Sequence, residues 1–275
     1  MSTIYDCGAN NGDDIPYYLL RADKVVAIEA NPNLAEGIRL RFSEYINVGR
    51  LFVEECVVTG GYCGSTEFYI NDTYDYLGTT NIPVHQDSGN YRKVKLKSRS
   101  ITSIIEQYGE PYYIKIDIEG GDDEVLTSIL KSGYRPPYLS VEAHSFDVFT
   151  TLVCLGNYKA FKLLDGLSVV DDYSDFRVTF QDGKSVPHAF PLHSAGPFGN
   201  DIAGDWMSTR EFFKYLSFVG TGWKDIHVSS IDSPMCINGY EQLYDIAGVT
   251  SRWIFRVAIR RIAKLLRTKV FKLRL

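Results

Sequence analysis

Four side chains carry the plainest chemistry in this sequence: Asp117 and Glu119 in the run YYIKIDIEGG, and Glu142 and His144 in LSVEAH. Each pair closes an apolar run of strand type, Tyr112 to Ile118 and Tyr138 to Ala143. Parallel strands would bring all four to one sheet edge, where open α/β sheets bind their ligands. Carboxylates and an imidazole crowded together shift one another's pKa and can make one of them a usable general base. The same set suits a hard divalent ion such as Mg²⁺, which would lower the pKa of a bound hydroxyl. The competing reading is structural: Asp117 and Glu119 would orient the Gly120-Gly121 turn, and His144 would be a satisfied capping or interior histidine.

A second constellation opens the chain, between Ile4 and Asn31. The run Ile4-Tyr5-Asp6-Cys7 enters a turn, Gly8-Ala9-Asn10-Asn11-Gly12, and a helix is predicted from Asp13 to Arg21. A further apolar run, Val25 to Ile28, ends in Glu29. A dinucleotide fingerprint would need glycines where Asn10 and Asp13 stand. Acids at Asp13 and Asp14 would repel a pyrophosphate from the helix start. The expected ligand therefore has a ribose and no phosphates. S-adenosylmethionine fits, with Asp6 and the turn facing its charged amino-acid end and Glu29 accepting from the ribose diol. The plainer alternative is an ordinary βαβ unit with a glycine turn.

The elements that must position these groups alternate in type. A helix follows Asn31-Pro32 to about Tyr45, and LFVEECVV at Leu51 to Val58 reads as a third strand. Thr66 to Ile70 is a strand placed to form a hairpin with it across Gly60-Gly61 and Gly64. Asp72 to Asn90 is a polar loop with the makings of a lid or a surface excursion. Arg92 to Lys97 alternates like an exposed, edge-like strand, and Ser100 caps a helix to Tyr108. Helices Asp122 to Lys131 and Phe146 to Leu155 flank the Tyr138 strand, and Lys159 to Leu164 is another strand. Beyond a less regular stretch, His193 to Asp201 is a glycine and proline loop, either a substrate wall or a structural cover. A helix from Thr209 to about Phe218 and a last strand, Trp223 to Ser229, follow. Strand and helix alternating in this way predict a mostly parallel sheet covered on both faces.

The 275 residues suffice for one large α/β domain with an appendage, and 45% hydrophobic content supports a full core. No apolar run is long enough for a membrane span. The five cysteines match neither a zinc pattern nor a disulfide framework and read as reduced thiols. With no signal ahead of the first strand, the expected compartment is cytoplasmic. The net charge of −5 hides an asymmetry, because nine cations and no acid follow Asp245. Without those nine the remainder stands at −14, which disfavours nucleic acid as a partner. At helical spacing most of the tail's cations share one half of the wheel, opposite Ile254, Phe255, Ile259, Ile262 and Leu266. Such a basic amphipathic helix over residues 251–275 suits peripheral contact with the inner membrane face, or packing on protein.

Taken together, IYDCGANNGDD, VVAIEANP, SITSIIEQYGEPYYIKIDIEGGDDEVL and LSVEAH resemble the FkbM family of S-adenosylmethionine-dependent methyltransferases. The likeness runs from about Ile4 to Ser229 and leaves out the basic tail. It implies a Rossmann-like methyltransferase fold, a mostly parallel seven-stranded sheet with one antiparallel strand, and a division into residues 1–232 and a 233–275 extension. It implies methyl transfer to a hydroxyl of a saccharide, glycolipid or natural product. By motif, Asp6, Gly8, Asn10 and Gly12 match the cofactor turn and Glu29 with Ala30 the ribose site. Glu55 or Cys56 stands where such folds touch adenine, and Asp117 and Glu119 match the KIDIEG acids. Almost nothing precedes the first strand, where relatives carry extra helices, and GGDDE replaces the commoner EGAE form. A non-catalytic cofactor-binding module, tethering a biosynthetic complex through the tail, is the alternative function.

Overall fold

The run Thr3–Cys7 is buried along its whole length, as a strand covered on both faces must be. In this computed structural model, which describes residues 2–74, 78–83 and 90–234, that run is β1 of an eight-stranded sheet. In chain order come β1 (Thr3–Cys7), α1 (Ile15–Arg21), β2 (Lys24–Glu29), α2 (Pro32–Arg41), α3 (Ser43–Asn47) and β3 (Leu51–Glu55). Then follow β4 (Val57–Thr59), β5 (Gly64–Asn71), β6 (Tyr91–Ser100), α4 (Ile101–Tyr108), β7 (Pro111–Ile116) and α5 (Asp122–Lys131). After them are β8 (Tyr138–Glu142), α6 (Phe146–Cys154), β9 (Ala160–Asp165), α7 (Val169–Asp172), β10 (Arg177–Thr179) and β11 (Ser185–Pro187). The described part ends with β12 (Met207–Ser208), α8 (Thr209–Val219) and β13 (Lys224–Ser229).

The sheet runs β12-β9-β13-β8-β7-β1-β2-β3. Strands β3, β2, β1, β7 and β8 are parallel neighbours. β13 lies antiparallel between β8 and β9. The fold is therefore the Rossmann-like α/β architecture expected, with seven strands plus a two-residue antiparallel edge, β12, that the expectation lacked. Successive residues of β1 feed opposite faces. Tyr5 and Cys7 join a core with α4, α5, α6 and α8, whereas Ile4 joins α1, α2 and the segment from Val169 to Trp206.

One pairing differs from the sequence reading. The third strand breaks at Cys56, and β4 leaves for a separate three-stranded sheet of order β4-β6-β5. There β5 pairs antiparallel with β6 and not with its predecessor. The exposed alternation of Arg92 to Lys97 thus belongs to the middle of a small sheet with one open face. Helix starts follow their caps: the Asn31 side chain accepts from the Asn33 N–H and the Ser100 side chain from the Ser103 N–H. Ser208 and Glu211 form a reciprocal capping box on α8.

The chain divides into two units, Met1–Pro234 and Met235–Leu275. The predicted basic tail helix lies outside the described residues. Among the described residues no helix is long and apolar enough to cross a membrane, and Cys7, Cys56, Cys63 and Cys154 are free thiols.

Candidate active site

A cavity of about 650 Å³ opens beyond the carboxyl ends of β1, β2 and β7. Its first wall is the turn after β1. Gly8 has φ +85° and Asn10 φ +51°, so the backbone curls in the left-handed region. The Gly8 and Ala9 N–H groups both donate to the Ile28 carbonyl, at 3.0 and 3.1 Å. Glu29 is buried and accepts from the Asn10 N–H at 2.8 Å and the Asn31 N–H at 2.7 Å, one on each oxygen. Burial pushes its carboxyl up to about 7. The carboxylate still has capacity to accept from a ligand hydroxyl. Gly8, Asn10, Glu29 and Ala30 all line the cavity.

The other residues expected around a cofactor are placed differently. Asp6 faces the α1 side of the sheet and is buried below the cavity. Neither of its carboxylate oxygens has a hydrogen-bond partner among the described residues, and burial raises its pKa to about 7. Gly12 does not line the cavity either: a Cβ there would press on Ile15, Phe42 and Ile38, so the glycine serves the packing of α1 on α2. Glu55 ends the edge strand β3, outside the cavity, and is held by Arg39 at 2.8 Å. Its neighbour Cys56 does line the wall, with Val57 and Val58 of β4 and Phe68 of β5.

The acids gather at the mouth of β7 and β8. Single carboxylate oxygens of Asp117, Glu119 and Glu142 lie within 4.8 Å of one another, and all three residues line the cavity. Asp122, at the start of α5, shapes the turn that presents them. It accepts from the Ile118 N–H at 3.1 Å and the Gly120 N–H at 3.2 Å, with Glu119 at φ +54°. Burial, then the charges of Asp117 and Glu142, push Glu119 up to about 7. Burial also raises the Glu142 pKa, although its hydrogen bond to His144 opposes the rise.

His144 lies outside the cavity lining and acts on the acids from behind. Its Nε2 is 3.1 Å from Glu142 Oε2 and 3.8 Å from Asp122. The Glu142 bond holds its pKa up at about 9. The protonated ring donates to Glu142 and orients that carboxylate. Lys115, a cation near the end of β7 that the sequence reading passed over, sits beside the same cluster. Its Nζ is 3.2 Å from Asp117 and 3.7 Å from Asp6. Burial works against the ammonium, yet Asp117, Asp6 and their neighbours hold its pKa well above the usual lysine value.

Two outer segments complete the site. The 72–90 excursion touches the acid turn, where Thr79 Oγ1 donates to the Glu119 carbonyl at 2.6 Å. Most of the His193–Asp201 loop is structural cover: Phe198 stacks on Tyr113 at 4.0 Å and 7°. Asp14, read from the sequence as a charge that would repel a pyrophosphate at the helix start, instead accepts from the Ser194 hydroxyl and the Ala195 N–H and fastens this loop to α1. Asp13 is likewise turned away, paired with Arg41 at 2.7 Å. From the loop, only His193 reaches the cavity lining among the described residues, where Trp223 joins it.

The model of the methyltransferase FkbM domain matches residues 6–176, the stretch that carries both the turn and the acids. The chain belongs to the FkbM methyltransferase family. Among solved structures, it is similar to an FkbM methyltransferase from Methylobacillus flagellatus KT, with 18% identity and a TM-score of 0.42. That match covers 60% of this chain and 40% of the other. It is also similar to the C-terminal domain of precorrin-6Y C5,15-methyltransferase from Rhodobacter capsulatus, with 10% identity and a TM-score of 0.38 over 83% and 79% of the two chains. A precorrin 8W decarboxylase from Methanobacterium thermoautotrophicum shares 11% identity and a TM-score of 0.37, over 84% and 82%. No curated protein matches the sequence.

Proposed function

We propose that this FkbM-family protein uses S-adenosylmethionine to methylate a hydroxyl of a saccharide, glycolipid or natural-product acceptor, with Asp117 as the base. The observation that carries the reading is one cavity with two differently built ends. At one, Gly8, Asn10 and Glu29 offer a backbone cradle and a buried ribose acceptor, beside an apolar adenine wall at Ile28, Cys56 and Val58. At the other, Asp117, Glu119 and Glu142 supply carboxylates for an acceptor hydroxyl. Five carboxylates line the cavity, those of Glu29, Asp117, Glu119, Glu124 and Glu142, and no Lys or Arg does so among the described residues. Such a lining favours a cationic ligand and disfavours phosphates.

The bound cofactor supplies a sulfonium methyl for in-line displacement by the acceptor oxygen. The protein's part is to orient the acceptor and take its proton. Lys115 engages Asp117 Oδ2 and so fixes the plane of that carboxylate. The hydroxyl proton passes to Asp117 as the oxygen bonds to carbon. His144 and Asp122 hold Glu142 and the acid turn in place. The three clustered oxygens also fit a hard divalent cation such as Mg²⁺, held by Asp117, Glu119 and Glu142, which would lower the hydroxyl's pKa.

The decisive variant is Asp117→Asn, assayed with radiolabelled cofactor and a cell extract. Unchanged cofactor affinity with methyl incorporation down by roughly a hundredfold or more is expected. Incorporation at the wild-type rate would remove Asp117 from the chemistry. Cofactor binding without turnover by the wild-type protein would point to a tethering module instead.

A further inference from the structure

Two rings of the cavity wall come from beyond residue 176, where the family match ends: His193 and Trp223. Their centroids are 5.2 Å apart and their planes 23° from parallel. Both are fixed by devices of their own. Trp223 rests on Gly166, where a Cβ would come within 2.7 Å of the indole, so a bare backbone is needed beneath the ring. The Gly166 N–H donates to the Trp223 carbonyl at 3.2 Å, and the Gly222 N–H to the Ala143 carbonyl at 3.0 Å. These bonds tie the ring's backbone to the ends of β9 and β8.

His193 has φ +70°, an uncommon conformation for a residue with a side chain. The next residue, Ser194, is buried and bonded to Asp14, as is Ala195. The backbone at His193 is thus held from behind while its side chain stands on the cavity wall.

We propose that Trp223 and His193, stacked on each other, form the acceptor-selecting wall of this site. The ring edges on the cavity wall bound an uncharged ring that bears the hydroxyl, while the acid-rich lining disfavours anionic acceptors. The inference rests on the methyl-transfer reading and adds to it the shape and charge of the acceptor. It also assigns selectivity to the part of the chain that the family model does not cover.

The test uses the full-length protein, labelled S-adenosylmethionine and four probe classes: neutral methyl hexopyranosides, simple phenols, methyl hexuronides and open-chain hexitols. Incorporation is expected into one of the two neutral ring classes, which also tells a sugar from an aromatic acceptor. Hexuronides and hexitols should fall at least about tenfold lower in kcat/KM. Trp223→Ala should raise the acceptor KM about tenfold or more with kcat and cofactor Kd unchanged, and Trp223→Phe should recover most of the loss. Gly166→Ala, which displaces the indole and leaves its chemistry intact, should act in the same direction. Equal use of hexuronides or hexitols would overturn the proposal, as would an unmoved KM in Trp223→Ala. Methyl transfer to a cell extract but to none of the four probes would overturn it as well. Cofactor bound with no transfer to probes or extract, or failure of the protein to bind cofactor, would instead overturn the underlying methyl-transfer reading.

Discussion

A Cβ on Gly8 would run into the backbone carbonyl oxygen of Asp117, so the cofactor turn and the acid-bearing strand end touch through bare backbone. The contact is fixed by the Asp117 N–H, which donates to the Cys7 carbonyl at 3.1 Å. Gly8→Ala faces both this clash and a φ of +85°. It should cost about 2–4 kcal/mol of stability and abolish cofactor binding. Thermal melting with and without S-adenosylhomocysteine checks this; a variant still stabilised by that ligand would show that the turn can move.

Glu29 makes cofactor affinity depend on pH. Its folded carboxyl titrates near about 7, raised mainly by burial. In the free protein it favours the fold below its unfolded pKa, and that contribution is lost as pH rises through about 7. Ribose hydroxyls donate to the ionised form, so binding should be strongest above pH 7. Below it, affinity should weaken by about tenfold per pH unit. Calorimetric titration between pH 5.5 and 8 reads the slope, and Glu29→Gln should flatten it. A flat wild-type profile would place the ribose elsewhere.

Ser194 is half of a buried fastening. Removing its hydroxyl in Ser194→Ala leaves Asp14, whose carboxyl burial already raises, with one donor fewer. A loss of about 1–3 kcal/mol in urea denaturation is expected. Proteolytic nicking near residues 190–200 should accelerate. If stability stays level, the loop is held without the Ser194 hydroxyl.

The nine cations beyond Asp245 predict attachment to an anionic surface, each contributing about 1 kcal/mol near such lipid. Deleting residues 250–275 should abolish sedimentation with phosphatidylserine vesicles, as should raised salt. Unchanged sedimentation would end the anchoring role.

Much of this molecule was legible before any coordinates. The parallel sheet, the start and end of α5, and the gathering of Asp117, Glu119 and Glu142 follow from periodicity and from acids placed at strand ends. What escaped depended on partners distant in sequence. Asp14 reads locally as a charge at a helix start, and only the return of Ser194 to α1 makes it a fastening. Asp6 looks exposed to ligand in the motif, yet strand alternation turns it under the sheet. Lys115 left a visible trace, a lone cation inside the apolar run YYIKIDI, which needs buried acids to be tolerated there. The β5–β6 pairing was hidden by the long excursion between its strands, which removes the tight-turn signal of a hairpin.

The acidic lining has a consequence for turnover. A sulfonium entering this acid-lined chamber is held by its charge; the thioether left after its methyl departs carries one positive charge fewer. The same field that draws the reactant in therefore loosens its grip on what remains.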